Sequence, residues 1–205
     1  MHPNPTFRTE DPQRNIDFAR ERAFGTLAIN GEDGPHTSHI PFLLDPDGTS
    51  AELHLVRSNP IARLCKNPLP CVITALGPDS YISPDWYETP DQVPTWNYVS
   101  VRITGVLYPM PTEDMHAVLD RLSEHFETLL LPKRPWTASK MTDGVMEKMM
   151  RMILPYRMEV TKIEGTWKLG QNKPDEVRVK AAQGVAAYGQ GQEIATLAAL
   201  MRGAK

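Results

Sequence analysis

The chain is poor in cysteine, in long apolar runs and in surplus charge of either sign. Cys65 and Cys71 are the only 2 cysteines in 205 residues. That excludes a disulfide scaffold and a four-cysteine zinc site, and leaves two reduced thiols flanking a proline-bearing turn. No apolar run reaches the ~18 residues that suggest a membrane helix. No basic-then-apolar leader opens the sequence. The expectation is a cytoplasmic protein with no membrane contact. Net charge is −3 and the pI is about 6.1, so nothing draws the whole surface toward nucleic acid. Familiar catalytic machinery is also lacking: there is no G-x-S-x-G elbow, H-E-x-x-H, P-loop or G-x-G-x-x-G. His116 and His125 share one predicted helix but stand about 2.5 turns apart, so they do not meet on one face. Asp79, Asp85, Glu88 and Asp91 crowd one loop, as solvated loop edges do. No catalytic residue and no metal ligand set is predicted.

What the chain does have is a cluster of aromatics. Tyr81-Ile82-Ser83-Pro84-Asp85-Trp86-Tyr87 is followed by Pro94-Thr95-Trp96-Asn97-Tyr98. Two of the 4 Trp and three of the 6 Tyr lie between Tyr81 and Tyr98. Prolines punctuate the stretch, and neither a helical nor a strand period explains it. Aromatics gathered on loops suit a planar ligand site or a subunit interface. They equally suit a loop packed on its own side chains.

Around this cluster the pattern is of short strands, turns and a few helices. Asp11-Pro12 reads as an N-cap with proline at the first helical position, and Ile16, Ala19 and Ala23 give that helix its apolar face. Strands are predicted at 26–29, 37–44, 53–56, 71–76, 98–107 and 157–163. Turns at 30–34 and 45–48 link the first three. Ser58-Asn59-Pro60 opens a short helix. Thr112 is predicted to cap an amphipathic helix whose face holds Met115, Val118, Leu119, Leu122, Phe126 and Leu129. A Met-rich helix is expected over 140–153, and two closing helices over 174–187 and 192–202. Short, turn-linked, mostly antiparallel strands favour a small barrel over a doubly wound sheet, in an α+β chain.

Five segments, in order, resemble the PaiB-type family of FMN-binding negative transcriptional regulators. They are Ser38-His39-Ile40-Pro41-Phe42, Arg57-Ser58-Asn59-Pro60, the Y-I-S-P-x-W-Y stretch from Tyr81, V-P-T-W-N-Y from Val93, and Trp167-Lys168-Leu169-Gly170-Gln171-Asn172-Lys173. Gly170 stands where that family usually has Ser, and Lys173 where it has Arg. The resemblance implies an FMN-binding split β-barrel with peripheral helices, formed as a single domain over 1–205. The barrel core would cover about 12–108 and 154–173, with a helical insertion at about 111–153 and closing helices at 174–205. It also implies a homodimer with the flavin between subunits.

FMN poses three problems: a dianionic phosphate, a polyhydroxy chain, and a ring with apolar faces and a polar edge. For the phosphate, Arg57, Ser58 and Asn59 offer a guanidinium, a hydroxyl and a helix start; a plain N-cap beside a solvated Arg is the alternative. On the strand over 37–44, Thr37 and His39 share one face and Ser38 the other, so one face at most meets a given ligand. The family pattern favours the His39 face. Trp96, Asn97 and Tyr98 offer ring faces and an amide for the ring edge, and Gln171 and Asn172 offer further amides or simply a polar turn. Two other functions stay open: a flavin-dependent oxidoreductase linked to a nicotinamide cofactor, and a flavin- or haem-binding sensor without turnover. Direct DNA binding is expected to be weak, because the second closing helix holds one basic residue and is mostly Ala and Leu.

Overall fold

In a computed structural model, which describes residues 2–8 and 11–204, apolar residues at every second position build strands around a barrel. The strands are β1 (Phe24–Gly31), β2 (Gly34–Leu44), β3 (Ser50–Val56), β4 (Leu69–Ile82), β5 (Thr95–Pro109) and β6 (Ile153–Lys168). Their order is β1-β2-β3-β6-β5-β4, closed into a barrel. Six helices accompany them: α1 (Pro12–Arg22), α2 (Pro60–Leu64), α3 (Met115–Thr128), α4 (Val145–Met150), α5 (Asp175–Tyr188) and α6 (Ile194–Gly203). The α+β split-barrel expectation holds. Two compact units divide the chain, and β4, β5 and β6 contribute residues to both.

The first unit to consider comprises Ala19–Thr74 and Ile103–Ile163. Alternation sends Leu27 and Ile29 of β1, Ile40 and Phe42 of β2, and Leu53 and Leu55 of β3 to one buried face. Tyr156 and Met158 of β6 join them, fully buried. Each such side chain contributes about 1.5–3 kcal/mol on leaving water, so the period-2 pattern itself fixes the register. The antiparallel partners follow: Thr26 opposite His39, Phe42 opposite Leu53, and Leu53 opposite Tyr156. Gly105 sits where any side chain is excluded, because a Cβ there would stand 2.0 Å from the Glu159 carbonyl oxygen. Met115, Val118 and Leu122 bury the apolar stripe of α3 against Leu43, Met110, Met150 and Ile153.

Two helical expectations need correcting here. No Thr112 side chain caps α3; a 3-10 turn over Thr112–Asp114 leads into it. Leu129 lies past its end and is exposed. The helix expected over 140–153 is reduced to α4, because Gly144 takes a left-handed φ of 77° and restarts the chain. Ile153 already belongs to β6.

The second unit comprises Met1–Phe18, Ala75–Arg102 and Glu164–Lys205. Helices α5 and α6 pack through Val177, Ala181, Ala182, Val185, Leu197, Ala198 and Met201 onto Ile82, Tyr87, Val99, Trp167 and Leu169. The small alanines let these elements approach closely, and Leu197 and Met201 are fully buried between them. The linker before α6 runs beside β4. Gln192 donates its N–H to Asp79 Oδ1 at 3.0 Å, and Tyr81 donates its own to the Gln190 carbonyl at 3.1 Å. At the N-terminus, Asp11 Oδ1 accepts from Gln13 N–H at 2.9 Å, as the capping pattern predicts. Buried Asn15 accepts the indole N–H of Trp167 at 2.9 Å.

Candidate functional site

In the first unit, the predicted residues gather where β2 meets the β3–α2 connection. Asn59 caps α2: its Oδ1 accepts from Ile61 N–H at 2.9 Å. Its Nδ2 donates to Ser38 Oγ at 2.9 Å, which latches the cap to β2. Both ends of the Asn59 amide are therefore committed, so it positions the connection. Arg57 is exposed, yet its backbone is held by a bond from its N–H to the Met152 carbonyl at 2.9 Å. Its Nε donates to the Arg151 carbonyl at 2.6 Å. Among the described residues, no acceptor takes the two terminal nitrogens of Arg57. The guanidinium is thus aimed by one nitrogen while two remain as donors, and Ser58, next in the chain, is exposed. That arrangement fits an anionic oxygen cluster such as a phosphate.

On β2, Thr37 and His39 point to the exposed face and Ser38 to the other. His39 Nδ1 lies 3.0 Å from Thr26 Oγ1 across the strand pair. Deeper in this unit, burial pushes the Cys65 thiol up to about 11. Burial and then the charge of Cys65 push Cys71 to about 12. Both are packed thiols, protonated at neutral pH, and poor nucleophiles.

In the second unit the W-N-Y segment is not a loop. It opens β5, so its members alternate. Trp96 and Tyr98 share the outer face, where exposed Trp96 makes an edge contact with Tyr81, with centroids 6.3 Å apart. Asn97 faces inward and is 1% exposed. Gln171 is consumed by its own turn: its Nε2 donates to the Trp167 carbonyl at 2.7 Å and its Oε1 accepts from Leu169 N–H at 2.8 Å. Asn172, in contrast, lines a cleft of about 240 Å³ together with Asn97, Gly170, Lys168 and Lys173. A Cβ at Gly170 would stand 3.3 Å from Arg178 Cγ and 3.6 Å from Asn97 Nδ2, and φ there is +85°.

The two lysines of that cleft are the residues that motif reasoning passed over. Lys168 donates to Thr95 Oγ1 and is half-buried, and burial pulls its pKa below the ordinary lysine value. Lys173 donates to Gln92 Oε1 at 2.5 Å and lies over the Tyr87 ring at 5.2 Å. The signal available in the sequence was a lysine placed between two buried apolar residues, Trp167 and Leu169. Among the described residues, no group of three or more His, Cys, Asp or Glu side chains is placed to hold a metal ion.

Similarity to known proteins matches this architecture. A FAD- and haem-binding protein from Mycobacterium smegmatis superposes with a TM-score of 0.58 at 17% identity, covering 90% of this chain and 82% of that one. The flavocytochrome Anf3 of Azotobacter vinelandii does so with a TM-score of 0.53 at 12% identity, over 78% of this chain and 69% of that one. At such identities they share the fold alone. The protease synthase and sporulation protein PAI 2 of Bacillus subtilis is 25% identical over 173 residues, covering 82% of this chain and 80% of that protein. Residues 1–162 match the family described as "Putative FMN-binding domain", and with the PaiB-type segments in their family order the chain belongs to this PaiB-type FMN-binding family.

Proposed function

We propose that the protein binds FMN, with Arg57 and Ser58 as the phosphate contacts. The observation that carries this is the half-committed guanidinium of Arg57: one nitrogen fixed on a carbonyl, two left as donors. Ser38 and Asn59 hold the connection that presents it. Within the second unit, Trp96 and Tyr98 share an outer strand face that suits contact with a planar ring. Bound FMN supplies reversible one- and two-electron chemistry, and the side chains bind and orient it. A homodimer in the cytoplasm is part of this reading, supported by exposed Trp96, Leu129, Leu130, Leu131, Met149 and Met152.

Regulation of transcription, as in the resembled family, would then act through a partner or through the flavin's redox state. The surface of α6 that packs inward is its apolar one, and Arg202 is its one basic side chain. A flavin-dependent oxidoreductase is the second reading. The cleft of the second unit, where Lys168 and Lys173 stand beside Phe7 and Tyr87, would give it a place for a substrate.

The test is a titration of wild type and Arg57→Ala with FMN and riboflavin. Loss of a charge-assisted phosphate contact costs about 1.5–3 kcal/mol, roughly a tenfold to hundredfold weakening for FMN. Riboflavin, which lacks the phosphate, is expected to bind both proteins alike. Equal losses for the two flavins would remove Arg57 from the phosphate site. Trp96→Ala is expected to weaken both flavins together.

A further inference from the structure

We infer that the cleft of the second unit is a binding site for a small organic carboxylate with a flat apolar body. Its walls explain the choice. Phe7 and Tyr87, both buried, supply aromatic surface. Lys168 and Lys173 supply two ammonium groups, and among the described residues no Asp or Glu lines the cleft. In a chain of net charge −3, that is a local reversal of sign. Both lysines are held by neutral acceptors, Thr95 Oγ1 and Gln92 Oε1. Among the described residues neither has a carboxylate partner, so the site carries uncompensated positive charge beside a part-desolvated surface. A bound anion would offset that charge through charge-assisted hydrogen bonds to the two ammonium groups.

The rest of the lining selects among anions. Asn97 is almost fully buried, and among the described residues its amide N–H donates to the Met201 thioether at 3.6 Å, a weak partner. Its Nδ2 stands 3.6 Å from where a Cβ at Gly170 would lie, and both residues line the cleft. The aromatic walls give an inorganic ion nothing to pack against. About 240 Å³ is also below the roughly 300–1,000 Å³ of pockets that enclose a drug-sized ligand. A small ring or short chain ending in a carboxylate matches both the size and the lining. This inference stands on the cleft and requires that FMN bind elsewhere on the chain.

The experiment is calorimetric titration of the full chain with benzoate, benzamide and inorganic phosphate, alone and in saturating FMN. Benzoate is expected to bind, with benzamide at least tenfold weaker because it lacks the charge. Lys168→Met and Lys173→Gln should each weaken benzoate at least tenfold, while Lys173→Arg keeps it. Lys173→Gln is the safeguard against misfolding, since its partly exposed ammonium can be neutralised with little change in packing, and its melting temperature should stay at the wild-type value. Benzoate and benzamide binding alike, or neither binding, would overturn the proposal. So would phosphate binding more tightly than benzoate. Loss of benzoate binding in the presence of FMN would assign the cleft to the flavin and overturn it equally. Failure of the Arg57→Ala prediction leaves each of these outcomes readable.

Discussion

Asp45 closes the turn that sets β2 against β3, and replacing it tests whether that turn is held by charge. Its carboxylate accepts from Thr49 N–H at 2.7 Å, Thr49 Oγ1 at 2.9 Å, Ser50 N–H at 2.9 Å and Ser50 Oγ at 2.8 Å. Partial burial pushes its pKa up. The Ser50 N–H, the hydroxyls of Ser50 and Thr49, and Asp47 outweigh that and bring it down to about 2. A fall from 3.8 to about 2 corresponds to about 2.4 kcal/mol. The group is only part-buried, so solvent screening leaves roughly 1 kcal/mol. Asp45→Asn keeps the shape and removes the charge. For a chain of this size the expected cost is a melting temperature about 2–4 °C lower at pH 7.

The pH dependence gives the sharper test. The folded pKa lies below the unfolded one, so the stabilisation is fully present above about pH 4. It is lost as pH falls through about 2. Urea melts of wild type and Asp45→Asn at pH 7, 4 and 2.5 should show the gap between them shrinking toward zero at the acid end. A gap that stays constant across that range would refute charge as the origin. The consequence reaches the candidate site, because this turn fixes Phe42 opposite Leu53. The same two strands carry Ser38 and lead into Arg57.

Gly165→Ala should destabilise by about 1–3 kcal/mol in urea, because a Cβ there would stand 1.9 Å from Asn15 Oδ1 and displace the acceptor of the buried Trp167 N–H; an unchanged midpoint would sink this account. Arg178 is 4% exposed and donates from Nε to the Met201 carbonyl at 2.8 Å, so Arg178→Ala should cost about 2 kcal/mol or more and loosen α6, as hydrogen exchange would report. Its partner Asp175 is 87% exposed at the carboxylate, and Asp175→Asn should change the melt by no more than about 1 kcal/mol. Against duplex DNA from its own promoter, at two salt concentrations, the protein should bind no tighter than about 10⁻⁴ to 10⁻⁶ M at physiological salt. Nanomolar, sequence-specific binding would restore direct DNA recognition, with Lys148 of α4 and Arg151 at its end the first place to search. Sedimentation at micromolar concentration should show a dimer, and a clean monomer would remove the shared-interface part of the flavin reading.

What could be read in advance was whatever short range decides. Asp11-Pro12 and Asn59-Pro60 mark real helix starts, because a cap and its recipient N–H lie two residues apart. Asp45-Pro46-Asp47-Gly48 makes a real turn for the same reason. Where long range decides, the local pattern misleads. Tyr81 and Ile82 look like loop beside Ser83-Pro84, yet β4 runs on to Ile82, where pairing with Gln190 and Gln192 and the burial of Ser80 and Ile82 hold it extended. The strand expected to start at Tyr98 starts at Thr95 and takes in Trp96 and Asn97, which sends Asn97 to the face opposite its two aromatic neighbours. Gln171 carries a motif position but spends both ends of its amide within four residues. Lys168 and Lys173 meet Thr95 and Gln92 across sequence separations of 73 and 81, which no spacing rule detects. A motif therefore identifies the segments that form a site, whereas strand alternation and distant pairing decide which of their side chains face a ligand. By that criterion Arg57, with two unspent nitrogens, and Lys168, with unbalanced charge, are better binding candidates here than Asn59 or Gln171, whose hydrogen-bonding capacity the fold already uses.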